Sequence, residues 1–484
     1  MNEQPNILLI MSDQHSPRLL GSAGDSVVRT PVLDQLAEKG TRFENTYCAN
    51  PLCVPSRMTF LTSRHSSDIR VWTNRCRLSS EIPTFVHYLV NSGYQTVLCG
   101  RMHFSGTDQR HGFERRIIGD VHAKLEHIPL STTGQTAAGV KVAGAGRTAY
   151  TRYDQEVTRV CNQFLLEMDR LPPDRPFLLT VGFVLPHCPF IVPKRLFEEY
   201  FDQIEATSLP KNYLNTLHPF MQTWRNKRQV DQLTDEEVKT ARAAYYGLVT
   251  FMDELIGHIL ETLAQTKFGQ NTLVIYTSDH GEMAGDHRMW WKSSFYQGSI
   301  GVPLIFSQPG QVAEGRTIQQ VTSLLDIGPT LVEIAGGSPM QNVRGRSLCQ
   351  FLQPDIFDNG NWPDTILAEL GGLSGDAPGR MIRRGPWKLS HYHSYDHPQL
   401  FNLDQDPDEW NDLGRDQAYA PIRKELLAEV LKDWSGKTVL DTLKTADQDQ
   451  KILAEYNQHA SLSTKDDVLD RWTAPDGCNV FPEV

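Results

Sequence analysis

Short, uninterrupted apolar runs alternate along this chain with stretches whose apolar residues recur every three to four positions. The runs Ile7–Met11, Thr96–Cys99, Phe177–Phe183, Thr272–Thr277 and Pro303–Phe306 are bounded by Gly, Pro and polar clusters. Runs without polar alternation are what strands buried on both faces require. Between them the helical period covers Pro31–Glu38, Ile82–Val90, Asp154–Met168 and a long stretch from Asp235 to Leu263. Strands alternating with helices predict an α/β fold, with a large, mainly parallel central sheet flanked by helices and ligand sites beyond the carboxyl ends of the strands. From about Trp362 the texture changes. "TILAEL", the Gly-rich stretch Gly371–Gly379, "GRMIRRGPWKLSHYH" and "PQLFNLDQDPDEWNDL" read as short antiparallel strands with turns, followed by a helix near Pro421–Trp434. The expected division is an α/β domain over residues 1–361 and a smaller α+β C-terminal domain over 362–484. Within the latter, the polar segment Thr445–Val484 has no assignable pattern.

Composition narrows the function. The longest apolar run, Phe177–Leu185, reaches about half of a membrane span, so no transmembrane helix and no membrane partner are expected. "MNEQPNILLIM" enters an apolar run with no basic region and no small-residue cleavage site, which predicts a cytoplasmic location unless a leader has been removed. The eight cysteines are irregularly spaced and read mostly as buried thiols rather than a disulfide framework. A formal net charge of −11 argues against a nucleic-acid partner. It leaves room for a small anionic substrate, because a local cluster of Arg, Lys and His can override the global sign.

Two segments echo one another. "ILLIMSDQH" and "TLVIYTSDHG" each place Ser, Asp and a second metal-binding side chain directly after a buried strand. If the strands are parallel neighbours, Asp13 and Gln14 converge with Asp279 and His280 into a divalent-cation site. Oxygen ligands suit calcium or magnesium, and the imidazole leans toward manganese. The bland alternative is that each Asp caps a helix. A third segment, "ANPLCVPSRMTFLTSRH", sets Cys53 just before a helix expected to begin near Pro55. Free amides at a helix start attract an anion, and Arg57 adds a fork of donors, so Cys53 reads as a nucleophile in an anion cradle.

"CVPSR" followed by "LTSR" resembles the signature of the type I, formylglycine-dependent sulfatases of the alkaline phosphatase superfamily, with Ser63 where glycine is usual. "TPVLDQLAEKGTRFENTYC", "GYQTVLCGRMHF", "LPHCPF", "SDHGEMAGDH" and "PQLFNLDQDPDEWNDL" also look like sulfatase segments. The resemblance implies an alkaline-phosphatase-like sandwich. It also implies that a maturation enzyme oxidises Cys53 to formylglycine (3-oxoalanine), and that one divalent metal, calcium first, sits among Asp13, Gln14, Asp279, His280 and the Cys53-derived side chain. The hydrated aldehyde would offer one hydroxyl to attack sulfur and a second to expel sulfate. Arg57 is carried over with the signature. "CGRMHFSG" implies that His103 partners the formylglycine hydroxyl and that Arg101 stands at the usual lysine position, although Arg is planar and bulkier. His187 and Lys292 look like the sulfate-binding histidine and lysine, either able to protonate the leaving alkoxide. Asn74 occupies the place of a substrate-contacting asparagine.

The pairs Asp13-Gln14 and Asp279-His280 resemble the branch holding choline sulfatases and phosphonate monoester hydrolases. Choline calls for an aromatic and acidic cage, yet "SDIRVWTNRCRLSS" brings Arg70, Arg75 and Arg77 to the expected pocket mouth. Basic residues there favour a sulfated saccharide or another anionic ester. Trp72, Trp290 and Trp291 could stack on a sugar or line a cage. Choline-O-sulfate hydrolysis, phosphonate monoester or phosphodiester hydrolysis, and anion binding without catalysis are the alternatives, and a homo-oligomer is compatible with the sequence.

Overall fold

The apolar runs form the centre of one sheet. Its eight strands lie in the order Arg316–Ser323, Thr41–Tyr47, Leu304–Ser307, Thr272–Ser278, Asn6–Asp13, Phe177–Pro186, Gln95–Gly100 and Arg115–Ile118. Every pairing is parallel except those of Leu304–Ser307, which runs antiparallel to both neighbours. This computed structural model describes residues 4–121, 135–172, 174–354, 360–372 and 377–459.

Asn6–Asp13, Phe177–Pro186 and Thr272–Ser278 are buried at every position, as strands covered by helices on both faces must be. Three strands have no counterpart among the apolar runs: Thr41–Tyr47, Arg115–Ile118 and Arg316–Ser323. The last two are the sheet's edges, and all three mix buried with exposed positions, which breaks the run.

The long helix spans Asp235–Gln265 and opens on a capping box: Glu237 N donates to the Thr234 hydroxyl (3.2 Å), and Thr234 N donates to the Glu237 carboxylate (2.9 Å). The period over Asp154–Met168 lies inside the helix Ala149–Arg170. The helix expected from Ile82 begins only at Phe85, after Thr84. Part of the unassigned Thr445–Val484 segment belongs to a helix, Gly436–His459, while residues 460–484 and the 373–376 part of the Gly-rich stretch lie outside the described residues.

The second sheet is a four-stranded antiparallel meander of Thr365–Leu370, Gly379–Arg384, Trp387–Tyr392 and Gln399–Asn402. Ala368, Leu370, Met381 and Tyr392 join the main core, whereas Ile382, Leu389 and Leu400 pack on Leu426 and Val430 of the helix Ala420–Leu431. The main core thus runs across the expected boundary at 361/362, and a second, smaller cluster lies on the other face of the meander. Among the described residues, all seven cysteines are free and no helix is long and apolar enough to cross a membrane; Cys478 lies outside them.

Candidate active site

Asn6–Asp13 and Thr272–Ser278 are parallel neighbours with Ser12 opposite Ser278, so the residues leaving both strands emerge side by side. Asp279 N donates to Ser12 O (3.2 Å), and Gln14 N donates to the Asp279 carboxylate (3.1 Å). His280 Nδ1 lies 3.0 Å from Gly281 O, and a carbonyl only accepts, so the proton is on Nδ1. The Nε2 lone pair then lies 3.6 Å from an oxygen of both Asp13 and Asp279. Burial pulls His280 below the ordinary histidine value and keeps it neutral, as a metal ligand must be. Burial opposes charge on Asp13 too, yet Arg101, His187, Arg57 and Lys292 hold that carboxyl well below the usual carboxylate range.

Cys53 completes the cluster. Its Sγ lies 3.2 Å from His280 Nε2 and 3.8 Å from Asp13 Oδ1. Ligand atoms of Asp13, Cys53, Asp279 and His280 all fall within 4.8 Å of one another, and all four residues are buried. Two carboxylates and a neutral imidazole fit a divalent cation. Gln14 is placed differently from the expectation of a simple ligand: its carbonyl accepts from Lys292 Nζ and its amide donates to Glu282. The carbonyl's second lone pair is what it could offer a metal.

The helix carrying Cys53 runs Cys53–Thr62, beginning two residues before Pro55, with Cys53 itself in the first turn. All ten of its residues are buried, which is why it shows no amphipathic pattern. Pro55 still falls among the first turns, where a missing N–H breaks no intrahelical bond. Arg57 Nε donates to Asp279 (2.9 Å), Nη2 to Asp13 (3.3 Å) and Nη1 to Arg101 O (3.1 Å), so its fork is spent on the two acids rather than on an incoming anion.

Arg101 donates to Asp13 through Nε (2.6 Å) and to His103 Nδ1 through Nη2 (2.9 Å). His103 consequently carries its proton on Nε2. Burial and the Arg101 charge press it well below the ordinary value, so it acts as a neutral N–H donor. Buried Lys292 runs the other way. Desolvation opposes its charge, but Cys53, Asp13, Cys188 and Asp279 outweigh it and hold the ammonium above its usual value. His187 Nδ1 lies 2.5 Å from Cys188 O and donates to it, which leaves Nε2 for a second partner.

Two supporting acids escaped the sequence reading. Asp120 accepts from Arg101 (3.4 Å), from Met102 N (3.3 Å) and from His103 N (2.6 Å), fixing the loop that bears His103. Its signal was an acid two residues past the strand Arg115–Ile118. Glu282 accepts from Gln14, from Ala284 N (2.8 Å) and from Trp291 N (2.5 Å), tying the Asp279 loop to the Lys292 loop. It lay within "SDHGEMAGDH", two residues past His280.

Arg75 and Arg77 are exposed, and Arg77 lies against Gly106, in the loop after His103. Trp72, expected at the substrate, is 3% exposed and packs with Trp434, Val439 and Leu443. Trp290 and Trp291 are both fully buried. Asn74 Oδ1 accepts from Val54 N (3.0 Å), capping the Cys53 helix.

Comparison with known proteins agrees with this geometry. The family model described as "Sulfatase" matches residues 5–337, and one described as "N-sulphoglucosamine sulphohydrolase, C-terminal" matches residues 285–435. The chain is 34% identical over 432 residues to a choline-sulfatase of Rhizobium meliloti, covering 85% of this chain and 82% of that protein. It is 31% identical to arylsulfatase K of Homo sapiens, covering 84% of this chain and 78% of that protein. Among solved structures, the phosphonate monoester hydrolase of Agrobacterium radiobacter superposes with a TM-score of 0.75 at 26% identity, covering 88% of this chain and 95% of the other.

Proposed function

The chain belongs to the sulfatase family, and from that premise we propose that it hydrolyses the sulfate monoester of a small saccharide-like alcohol bearing further negative charge. Cys53, converted to formylglycine, is the nucleophile. The observation that carries this reading is Cys53 Sγ in the first turn of a buried helix, 3.2 Å from His280 Nε2 and beside two acids. Asp13, Asp279 and His280, with the Gln14 carbonyl, would hold a divalent cation, calcium first on its oxygen donors and manganese as the competitor. When bound, the cation would draw charge from the nucleophile's oxygen, and the aldehyde would supply the second hydroxyl needed to release sulfate.

The remaining residues have separable tasks. His103 Nε2–H hydrogen-bonds the nucleophile's oxygen. Lys292, Arg101 and His187 neutralise the sulfuryl oxygens, and Lys292, held charged, can protonate the departing alkoxide. Arg57 holds Asp13 and Asp279 in place. Against choline, the exposed side chains of Arg75 and Arg77 put positive charge at the rim, where a quaternary ammonium would be repelled. A phosphonate monoester is the second reading, favoured by the structural likeness at 26% identity. The cytoplasmic placement is part of the proposal, supported by the seven free thiols among the described residues.

The test is sulfate release from sulfated saccharides, choline-O-sulfate and an aryl sulfate, beside phenylphosphonate turnover, with mass spectrometry of the Cys53 peptide. We expect an aldehyde at position 53, the fastest release from an anionic saccharide sulfate, and loss of at least roughly 10⁴-fold in activity for Cys53→Ala. A preference for choline-O-sulfate overturns the substrate class. Faster phosphonate turnover overturns the reaction class.

A further inference from the structure

Arg228, in the last turn of the helix Pro219–Arg228, has no place in the catalytic scheme above. Its guanidinium lies 4.7 Å from the ring centroid of Trp224 and 5.4 Å from that of Trp291, so two indoles hold it. Nη1 donates to Gln135 O (3.2 Å) and Gln135 Oε1 (2.8 Å), and Nη2 to Ser293 Oγ (3.4 Å). Of five N–H donors, these contacts use three. Nε is buried without a hydrogen-bond partner. Among the described residues no carboxylate pairs with Arg228, while Ser293 directly follows Lys292, the lysine assigned to the sulfate.

Electrostatics make this placement costly as it stands. Burial draws Arg228 down to about 10, still charged at neutral pH, with Cys188 and Glu282 the groups that favour its charge. Arg228 is half-buried with its Nε cut off from water, and a charge so placed with no carboxylate partner among the described residues is stabilised when an anion arrives to share it. Stacking on two indoles removes most of its rotational freedom, which lowers the entropy lost when it grips a ligand.

We propose that Arg228 is a specificity-determining residue that binds a second anionic group of the substrate, a carboxylate or a further sulfate, beside the sulfate being cleaved. The inference rests on the sulfatase reading and narrows its substrate class to esters with two negative groups on neighbouring positions. The experiment compares kcat/KM of the formylglycine-bearing enzyme for a sulfated uronic acid, a disulfated hexosamine and a monosulfated neutral hexose. Arg228→Gln should lower the ratio of doubly to singly anionic substrate at least about tenfold, chiefly through KM, and Arg228→Lys should lower it less, since it keeps charge but not the fork. The lysine variant decides the matter if the glutamine variant does not fold. The larger loss, on the uronate or on the disulfate, identifies the anion. Equal losses on all three substrates, or an unchanged ratio, overturn the proposal. No sulfate release from any ester by the wild type would instead bring down the sulfatase reading, and Arg228's role with it.

Discussion

The floor of the site and its rim are built by opposite means. The floor takes Asp13 and Asp279 from adjacent strand ends and Cys53 from a fully buried helix, and each acid is held by an arginine fork. The rim segment around residues 70–77 is a loop in which buried, half-buried and exposed side chains follow one another without a period. A strand end fixes where its next side chain goes; a loop does not. Residue type therefore foretold which side chains meet on the floor, whereas at the rim Trp72 packs with Trp434 and Asn74 accepts from Val54 N, contacts that their chemistry alone did not announce.

That contrast can be broken or sharpened experimentally. The largest effect is expected from His280→Ala, which should lose the bound cation, measured by plasma emission, and on the order of a thousandfold in kcat. Retention of both would dissolve the floor as drawn. The fold should survive, because Arg57 and Arg101 still balance Asp13 and Asp279. Next comes Trp72→Ala, expected to cost about 3 kcal/mol of stability in urea unfolding while KM stays within about twofold. A large KM change would return Trp72 to the substrate.

His15, on the floor, supplies a pH signature. It lies 2.6 Å from the Tyr276 hydroxyl and 2.9 Å from Leu19 O, and burial pulls it to about 4. Below the unfolded value near 6.5 the unfolded chain takes up a proton that the native state refuses, so stability falls as pH drops from 6.5 toward 4. The stability gap between wild type and His15→Gln should narrow by about 2 kcal/mol between roughly pH 7.5 and pH 5. A constant gap would contradict the buried neutral imidazole. The smallest effect is that of Asn74→Ala, about 1 kcal/mol from the lost cap, read as a lowered unfolding midpoint.

Much of the fold was legible because strands buried on both faces must be continuously apolar, and Ile7–Met11 or Thr272–Thr277 can hardly be anything else. Arg316–Ser323, with its exposed positions, offered no such run. The repeated Ser-Asp after two strands disclosed the cluster that could hold a metal, since parallel neighbours align their ends. What the sequence withheld was direction. Gln14 reaches Lys292 and Glu282, Arg57 faces acids rather than an anion, and Asn74 caps a helix; each depends on contacts between segments remote in the chain.

Cys53 is 2% exposed, and His280, which touches it, is 227 residues further along the chain. Another enzyme cannot grip a side chain enclosed by a finished interior, so any chemical conversion of this thiol belongs to the time before the walls exist. At about 5–20 residues per second, the ribosome needs roughly 11 to 45 s to travel from one residue to the other. On the proposal that Cys53 becomes formylglycine, burial makes that step a race against synthesis, and any change that hastens early collapse of the first strands would shorten the interval in which it can be won.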